Sequence, residues 1–179
     1  RHAELLRSAG MEPYPLGVRC DYSVEKLTNI LHSGNISVEE FTLSGRVRFI
    51  RNHGGVVFLT LIENGRTLQV VIERAAVGAQ ALRLLGQTVD TGDILLITGS
   101  MGASRNGTVS VLASNWRMAS KCLHPIPFDS FTDPEARLRR RSTDLLVNPE
   151  QVQNLRMRSA IITSIRRTLD TEGFTEVET

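Results

Sequence analysis

Five short runs of β-branched or alternating residues are expected as strands near 39–51, 55–63, 67–73, 93–100 and 109–118. A single helical run, Ala75 to Leu85, interrupts them between the third and the fourth. Turn residues separate the runs, with Gly54-Gly55 after the first and Asp90-Thr91-Gly92-Asp93 before the fourth. Three strands, a helix and two strands is the order of the OB-fold, a small five-stranded β-barrel. A small sheet with a helix inserted elsewhere gives the same string, so the order narrows the choice without closing it.

The first three runs carry chemistry as well as pattern. Arg46 and Arg48 alternate with Val47 and Phe49, and Arg51 closes the run. On a period of two, all three arginines are expected to share one polar face and track a phosphate backbone. Phe58 stands inside the apolar run VVFLTL, where a phenylalanine is ordinarily core. On the outer face its ring instead stacks on an unpaired base, worth roughly 1–3 kcal/mol. Gln69 alternates with Leu68 and Val70, so it faces out if they face in, and its amide suits a base edge. Taken singly, the arginines read as a solubilising face and the glutamine as solvated. Together, Arg51, Phe58 and Gln69 supply charge, stacking and edge reading, which is what single-stranded RNA recognition uses.

The chain has 179 residues, enough for one or two domains, and 41% of them are hydrophobic. A net charge of +2 gives no globally basic surface, so nucleic-acid binding must rest on local patches. Cys20 and Cys122 lie far apart without CxxC spacing and are expected as free thiols in a reducing compartment, with no zinc site. His2, His32, His53 and His124 are scattered, and no phosphate-loop or dinucleotide fingerprint occurs. Gly99-Ser100-Met101-Gly102 reads as a turn. No catalytic residue and no metal ligand is expected in this stretch. No apolar run reaches the roughly 18 residues of a membrane span, and no signal peptide is recognised. Arg1 and the final Glu176-Val177-Glu178-Thr179 read as cut edges of a longer protein.

Around the strands, residues 1–9 read as an amphipathic helix stopped by Gly10, and Met11 to Pro15 as an extended stretch. A short helix is expected over 23–32 and a turn at Gly34-Asn35. Beyond Ser120, Pro125 and Pro127 mark a loop, and Thr132-Asp133-Pro134-Glu135 a helix start. The helix after it carries Arg137, Arg139, Arg140 and Arg141, which either grip a polynucleotide or pair with acids such as Glu135, Asp144 or those of a partner subunit. Asn148-Pro149-Glu150 starts a long helix with one apolar stripe, Val152, Leu155, Ile162, Ile165 and Leu169. Gly173 ends it, and a strand is expected from Phe174 to Thr179. The organisation is thus a helix and connector over 1–38, a barrel over 39–119, an arginine-rich hinge over 120–148, and the opening of an α+β domain over 149–179.

Several phrases recur in one family. They are Pro13-Tyr14-Pro15 after Gly10, Gly45-Arg46-Val47 with Arg51, Gly54 and Phe58, Leu68-Gln69, and Asp90-x-Gly92-Asp93-Ile94. Lys121-x-Leu123-x-Pro125-x-Pro127, Asp133-x-Glu135-x-Arg137-x-Arg139-x-Arg141, Asp144-Leu145 and Gly173-Phe174-x-Glu176-Val177-Glu178-Thr179 follow. Across nearly its whole length the chain resembles the N-terminal part of a class II lysyl-tRNA synthetase, from the anticodon-binding region through motif 1. The stretches Lys121 to Pro127 and Asp133 to Leu145 separate it from the aspartyl and asparaginyl types.

The resemblance implies that the OB-fold barrel binds the tRNA anticodon. Arg51, Phe58 and Gln69 fall on the positions that embrace its central uridine, and Arg46 and Thr108 belong to the same RNA-binding set. It implies a homodimer through the motif 1 helix, with Leu155, Ile162, Ile165 and Leu169 at the interface. Motifs 2 and 3 would follow Thr179, so ATP and Mg²⁺ and the lysylation of tRNA are implied for the parent enzyme. The piece alone is expected to be inactive and without a cofactor. The parent is expected in the cytoplasm, or at a membrane if it is the bifunctional kind that also lysylates phosphatidylglycerol, which the phrase Asn52-His53-Gly54-Gly55-Val56 resembles. Three positions depart from the family pattern: Thr108 stands for a glutamate, Gly55 for a lysine and Ser142 for an aromatic. Set against the resemblance, these departures are expected to loosen or rebuild anticodon discrimination. Two other readings of the residues are a general single-strand-binding OB module without synthetase activity, and a structural domain dimerising through its long helix.

Overall fold

The computed structural model describes residues 1–32, 39–104 and 107–178. Its elements run α1 (His2–Ser8), β1 (Tyr22–Ser23), α2 (Val24–His32), β2 (Phe41–Asn52), β3 (Val56–Glu63), β4 (Arg66–Glu73), α3 (Arg74–Val77), α4 (Ala79–Thr88), β5 (Ile94–Ala103) and β6 (Val109–Ser120). Then come α5 (Pro134–Arg139), α6 (Arg141–Val147) and α7 (Pro149–Thr171). The chain divides into two units, Arg1–Phe128 and Asp129–Thr179.

In the first unit the strands pair in the order β1-β2-β3-β4-β6-β5, and β5 pairs back onto β2. The five long strands therefore form a ring, with the helical run between its third and fourth members, as the OB-fold order requires. The inward residues are those that alternation selects: Leu43, Val47, Val57, Leu59, Leu61, Val70, Ile72, Leu95, Ile97 and Val111 are all fully buried. Trp116 sits among them and donates its indole N–H to the Ala81 carbonyl at 3.2 Å, fastening α4 over the barrel.

Four expectations need correction. The helical run is broken at Gly78, whose φ of 86° lies in the left-handed region, so α3 and α4 are separate. Gly99 to Gly102 is not a turn; it lies within β5, which runs on to Ala103. Gly99 packs so close to the next strand that a Cβ there would meet the Leu112 carbonyl oxygen at 2.2 Å. Arg140 leaves helical geometry (φ −111°, ψ 59°), so the arginine-bearing helix is two short ones. Residues 174–178 form no strand, because no neighbouring strand pairs with them among the described residues. The two-residue β1, parallel to β2, was not expected. The turn at Gly34-Asn35 lies outside the described residues.

A buried charge cluster closes the far end of the barrel. Lys121 Nζ donates to Asp93 Oδ2 at 2.7 Å and to Asp90 Oδ2 at 2.5 Å. Asp93 has no exposed surface and also accepts the backbone N–H groups of Asp90 and Cys122, both at 2.7 Å. His2 Nδ1 reaches Asp90 at 2.7 Å, so α1, the lead into β5 and the exit of β6 meet at one point.

The second unit is organised around Asp144, which is almost wholly buried. It takes Arg137 Nε at 2.7 Å, Arg141 Nη1 at 2.6 Å and Asn148 Nδ2 at 2.7 Å. Asp133 caps α5 by accepting the Ala136 N–H at 2.7 Å, and Arg139 pairs with Glu135 at 2.6 Å. The arginine cluster thus spends three of its members on acids of its own unit. Burial pushes the Asp144 carboxyl upward, but the Asn148 and Arg137 hydrogen bonds and the charges of Arg137 and Arg141 outweigh it and hold it below its ordinary value. In acid the unfolded chain therefore binds a proton that the folded unit resists. The stabilisation is full above the unfolded carboxyl value and is lost as pH falls through the lower, folded one. Helix content of the chain, followed by circular dichroism, is expected to fall from about pH 4 downward. Asp144→Asn is expected to shallow that dependence, and an unchanged acid transition in the variant would show that Asp144 does not govern it.

Candidate nucleic-acid interface

Where Arg51 points is decided by a bulge. Strict alternation from the buried Val47 puts Phe49 and Arg51 inside, away from Arg46 and Arg48. The register shifts between Val47 and Phe49, so two residues of β2 oppose one of β3. Beyond the shift Ile50 pairs with the fully buried Leu59, and Arg51 pairs with Phe58 on the outer face. The simple period-two row of three arginines is therefore corrected: the bulge, not the alternation, brings Arg51 outward, and it delivers the other two elsewhere. Arg48 lies over the rings of Phe49 at 5.1 Å and Phe128 at 6.0 Å. Arg46 donates to the Gly92 carbonyl at 2.7 Å and pins the turn before β5.

Phe58 lies between Val57 and Leu59, which are both fully buried, so its ring faces out and is half-buried. On the neighbouring strand Leu68 and Val70 are buried, and Gln69 faces out opposite Thr60. Arg51, Phe58, Gln69 and Thr108 line one groove of ≈ 1190 Å³. Arg46 is not in it: five residues back along β2, it stands about 17 Å away. Thr108 is held at the rim by two bonds to Ser104: the Ser104 N–H on the Thr108 carbonyl at 2.8 Å and the Thr108 N–H on Ser104 Oγ at 3.2 Å.

Sequence reasoning missed several walls of this groove. His53 meets the Phe58 ring edge-on, with centroids 5.9 Å apart and planes at 76°. Val71 and Leu112 supply apolar surface beside the ring, and Arg74 stands at the edge. His53 was legible as the residue before the glycine turn. Leu112 was hidden because β6 alternates weakly, and it is one of few large apolar side chains left exposed on the barrel, at 40%. The groove offers a flat ring, apolar surface, an amide, two guanidinium groups and one carboxylate, that of Glu73. That set stacks one planar ring, reads its edge and neutralises a nearby anion.

Leu155, Ile162, Ile165 and Leu169 are all exposed on α7, and Met157 and Ile161 are exposed beside them. No described helix is long and apolar enough to cross a membrane.

Comparison with known proteins matches two families in succession. Residues 41–119 match the OB-fold nucleic acid binding domain, and residues 133–179 match the tRNA synthetases class II (D, K and N). The chain is 38% identical over 176 residues to the lysylphosphatidylglycerol biosynthesis bifunctional protein LysX of Mycobacterium ulcerans (strain Agy99), covering 97% of this chain and 16% of that protein. It is likewise 38% identical to the protein of that name from Nocardia farcinica (strain IFM 10152), over 97% of this chain and 15% of the relative. With that of Mycobacterium tuberculosis (strain ATCC 25618 / H37Rv) it shares 38% over 98% of this chain and 15% of the relative. The chain spans about one sixth of the length of these curated relatives.

Proposed function

We propose that this chain, which matches the OB-fold nucleic acid binding domain over residues 41–119 and the tRNA synthetases class II (D, K and N) over residues 133–179, is the anticodon-binding part of a lysine–tRNA ligase. The single observation that supports this reading most is the groove itself: Arg51, Phe58 and Gln69, one from each of three strands, share one open face. In this reading Phe58 stacks on an anticodon base, Gln69 bonds its edge, Arg51 neutralises a flanking phosphate and Thr108 borders the neighbouring base. The parent protein lysylates tRNA with ATP and Mg²⁺ and, like the relatives by name, is bifunctional, which would bring it to a membrane. Its two copies pair through the exposed stripe of α7. The piece by itself does no chemistry.

Binding of the 179-residue chain to a stem-loop RNA bearing the anticodon UUU tests this. Phe58→Ala is expected to weaken binding by about 1–3 kcal/mol, roughly 5- to 150-fold, while the unfolding midpoint stays within a few degrees. The ring is on the outer face, so its loss opens no core cavity. Equal affinity for the stem-loop and for unrelated oligonucleotides, or no change on removing the ring, would contradict the proposal.

A further inference from the structure

Behind the β2–β3 turn lies a second hollow, of ≈ 410 Å³, bounded by Asn52, Gly54, Arg74, Leu82, Arg83 and Gln87. Its polar lining is two guanidinium groups and two amides, and among the described residues no carboxylate borders it. Asn52 Oδ1 accepts the Gly54 N–H at 2.9 Å, which turns the side-chain amide's N–H groups toward the hollow as donors. Gly86 forms the floor, where a Cβ would come within 3.1 Å of Asn52 Nδ2. Arg83 is exposed on α4, and its side chain makes no hydrogen bond or ion pair among the described residues. Such a site holds a compact anion through several donors at once.

Arg74 joins this hollow to the base groove, since it lines both. Its position is set by two bonds to the turn: its N–H donates to the Gly55 carbonyl at 2.9 Å, and Nη2 to the Gly54 carbonyl at 3.1 Å. A strand whose base enters the groove thus meets Arg74 at the rim, and Arg83 on the other side.

We propose that the hollow is a phosphate subsite for the RNA backbone as it leaves the base groove, with Arg83 and the Asn52 amide as its donors and Arg74 as the bridge. This rests on the base groove binding RNA. It extends the footprint from the unpaired bases to nucleotides beyond them.

The test compares salt dependence for two RNAs on the 179-residue chain: the UUU stem-loop and a five-nucleotide uridine oligomer that fills only the base groove. Arg83→Ala is expected to lower the slope of log K against log salt by about one for the stem-loop and to leave the oligomer unchanged. At 0.1 M salt that corresponds to about a tenfold loss. Arg83→Lys, which keeps the charge, is expected to retain the slope. If Arg83→Ala changes neither RNA while Phe58→Ala weakens both, the subsite is wrong and the base groove stands. If it weakens both RNAs equally, Arg83 acts on the base groove and the extended path is wrong. If neither variant matters, the RNA reading itself falls, and the subsite with it.

Discussion

Lys121→Ala is expected to destabilise the barrel unit by about 3–5 kcal/mol, the largest loss from any single polar change in this chain. Lys121 is 6% exposed and Asp93 is fully buried. Removing the ammonium leaves a carboxylate in the protein interior with two backbone N–H groups and no counter-charge. Nor does deleting both charges restore the balance: without Asp93 the Asp90 and Cys122 N–H groups lose their acceptor, and buried donors without acceptors are costly. Lys121→Arg does not rescue either, since a planar fork does not fit where a compact ammonium bridges two carboxylates. Urea unfolding followed by tryptophan fluorescence is the measurement, because Trp116 reports on this core. A loss under about 1 kcal/mol would mean that the two N–H groups satisfy Asp93 by themselves. Affinity of the folded fraction for RNA is expected to hold, because Asp93 lines no wall of the groove: its carbonyl bonds the Val47 N–H, and Val47 stands four residues along β2 from Arg51, about 13 Å away.

That cluster also shows what a sequence displays and what it hides. Asp90-x-Gly92-Asp93 and Lys121 stand out as phrases, but nothing in their spacing says that a charge is buried between residues 28 apart. The strands and their inward faces were legible because a period of two is local, and the order of elements led to the OB-fold that the family match bears out. The class II reading was legible only as a resemblance, and the match over 133–179 bears it out. The register shift in β2 left no sign in the residue types. The mirror error was at Gly99 to Gly102, where paired glycines look like a turn. Here glycine answers the close approach of β6 instead, which is a tertiary fact. Phe174 to Thr179 reads as a strand from composition, yet a strand needs a neighbour, and composition does not supply one.

Joint removal of Phe58 and Gln69 is expected to lower affinity for the UUU stem-loop by about 2–4 kcal/mol, on the order of 30- to 1000-fold. Phe58 pairs with Val71 and Gln69 with Thr60, so the two side chains sit diagonally on adjoining strands of one face. Diagonal neighbours of this kind are about 7–8 Å apart, roughly the distance from the middle of a stacked base to a partner on its edge. One base can therefore occupy both. The consequence is non-additivity: once the ring is gone the base is no longer held where the amide can reach it, so Gln69→Ala costs less in the Phe58→Ala background. A coupling of about 0.5–3 kcal/mol is expected from contacts that share a ligand. The two single variants should also differ in kind. Stacking tolerates any base, so Phe58→Ala lowers binding alike for stem-loops with U, C or A at the middle position. Edge reading does not, so Gln69→Ala is expected to compress the preference for U by about 1–3 kcal/mol. Strict additivity with an unchanged base preference would show that the two side chains do not hold the same base, and the groove would then be a stacking surface without a reader.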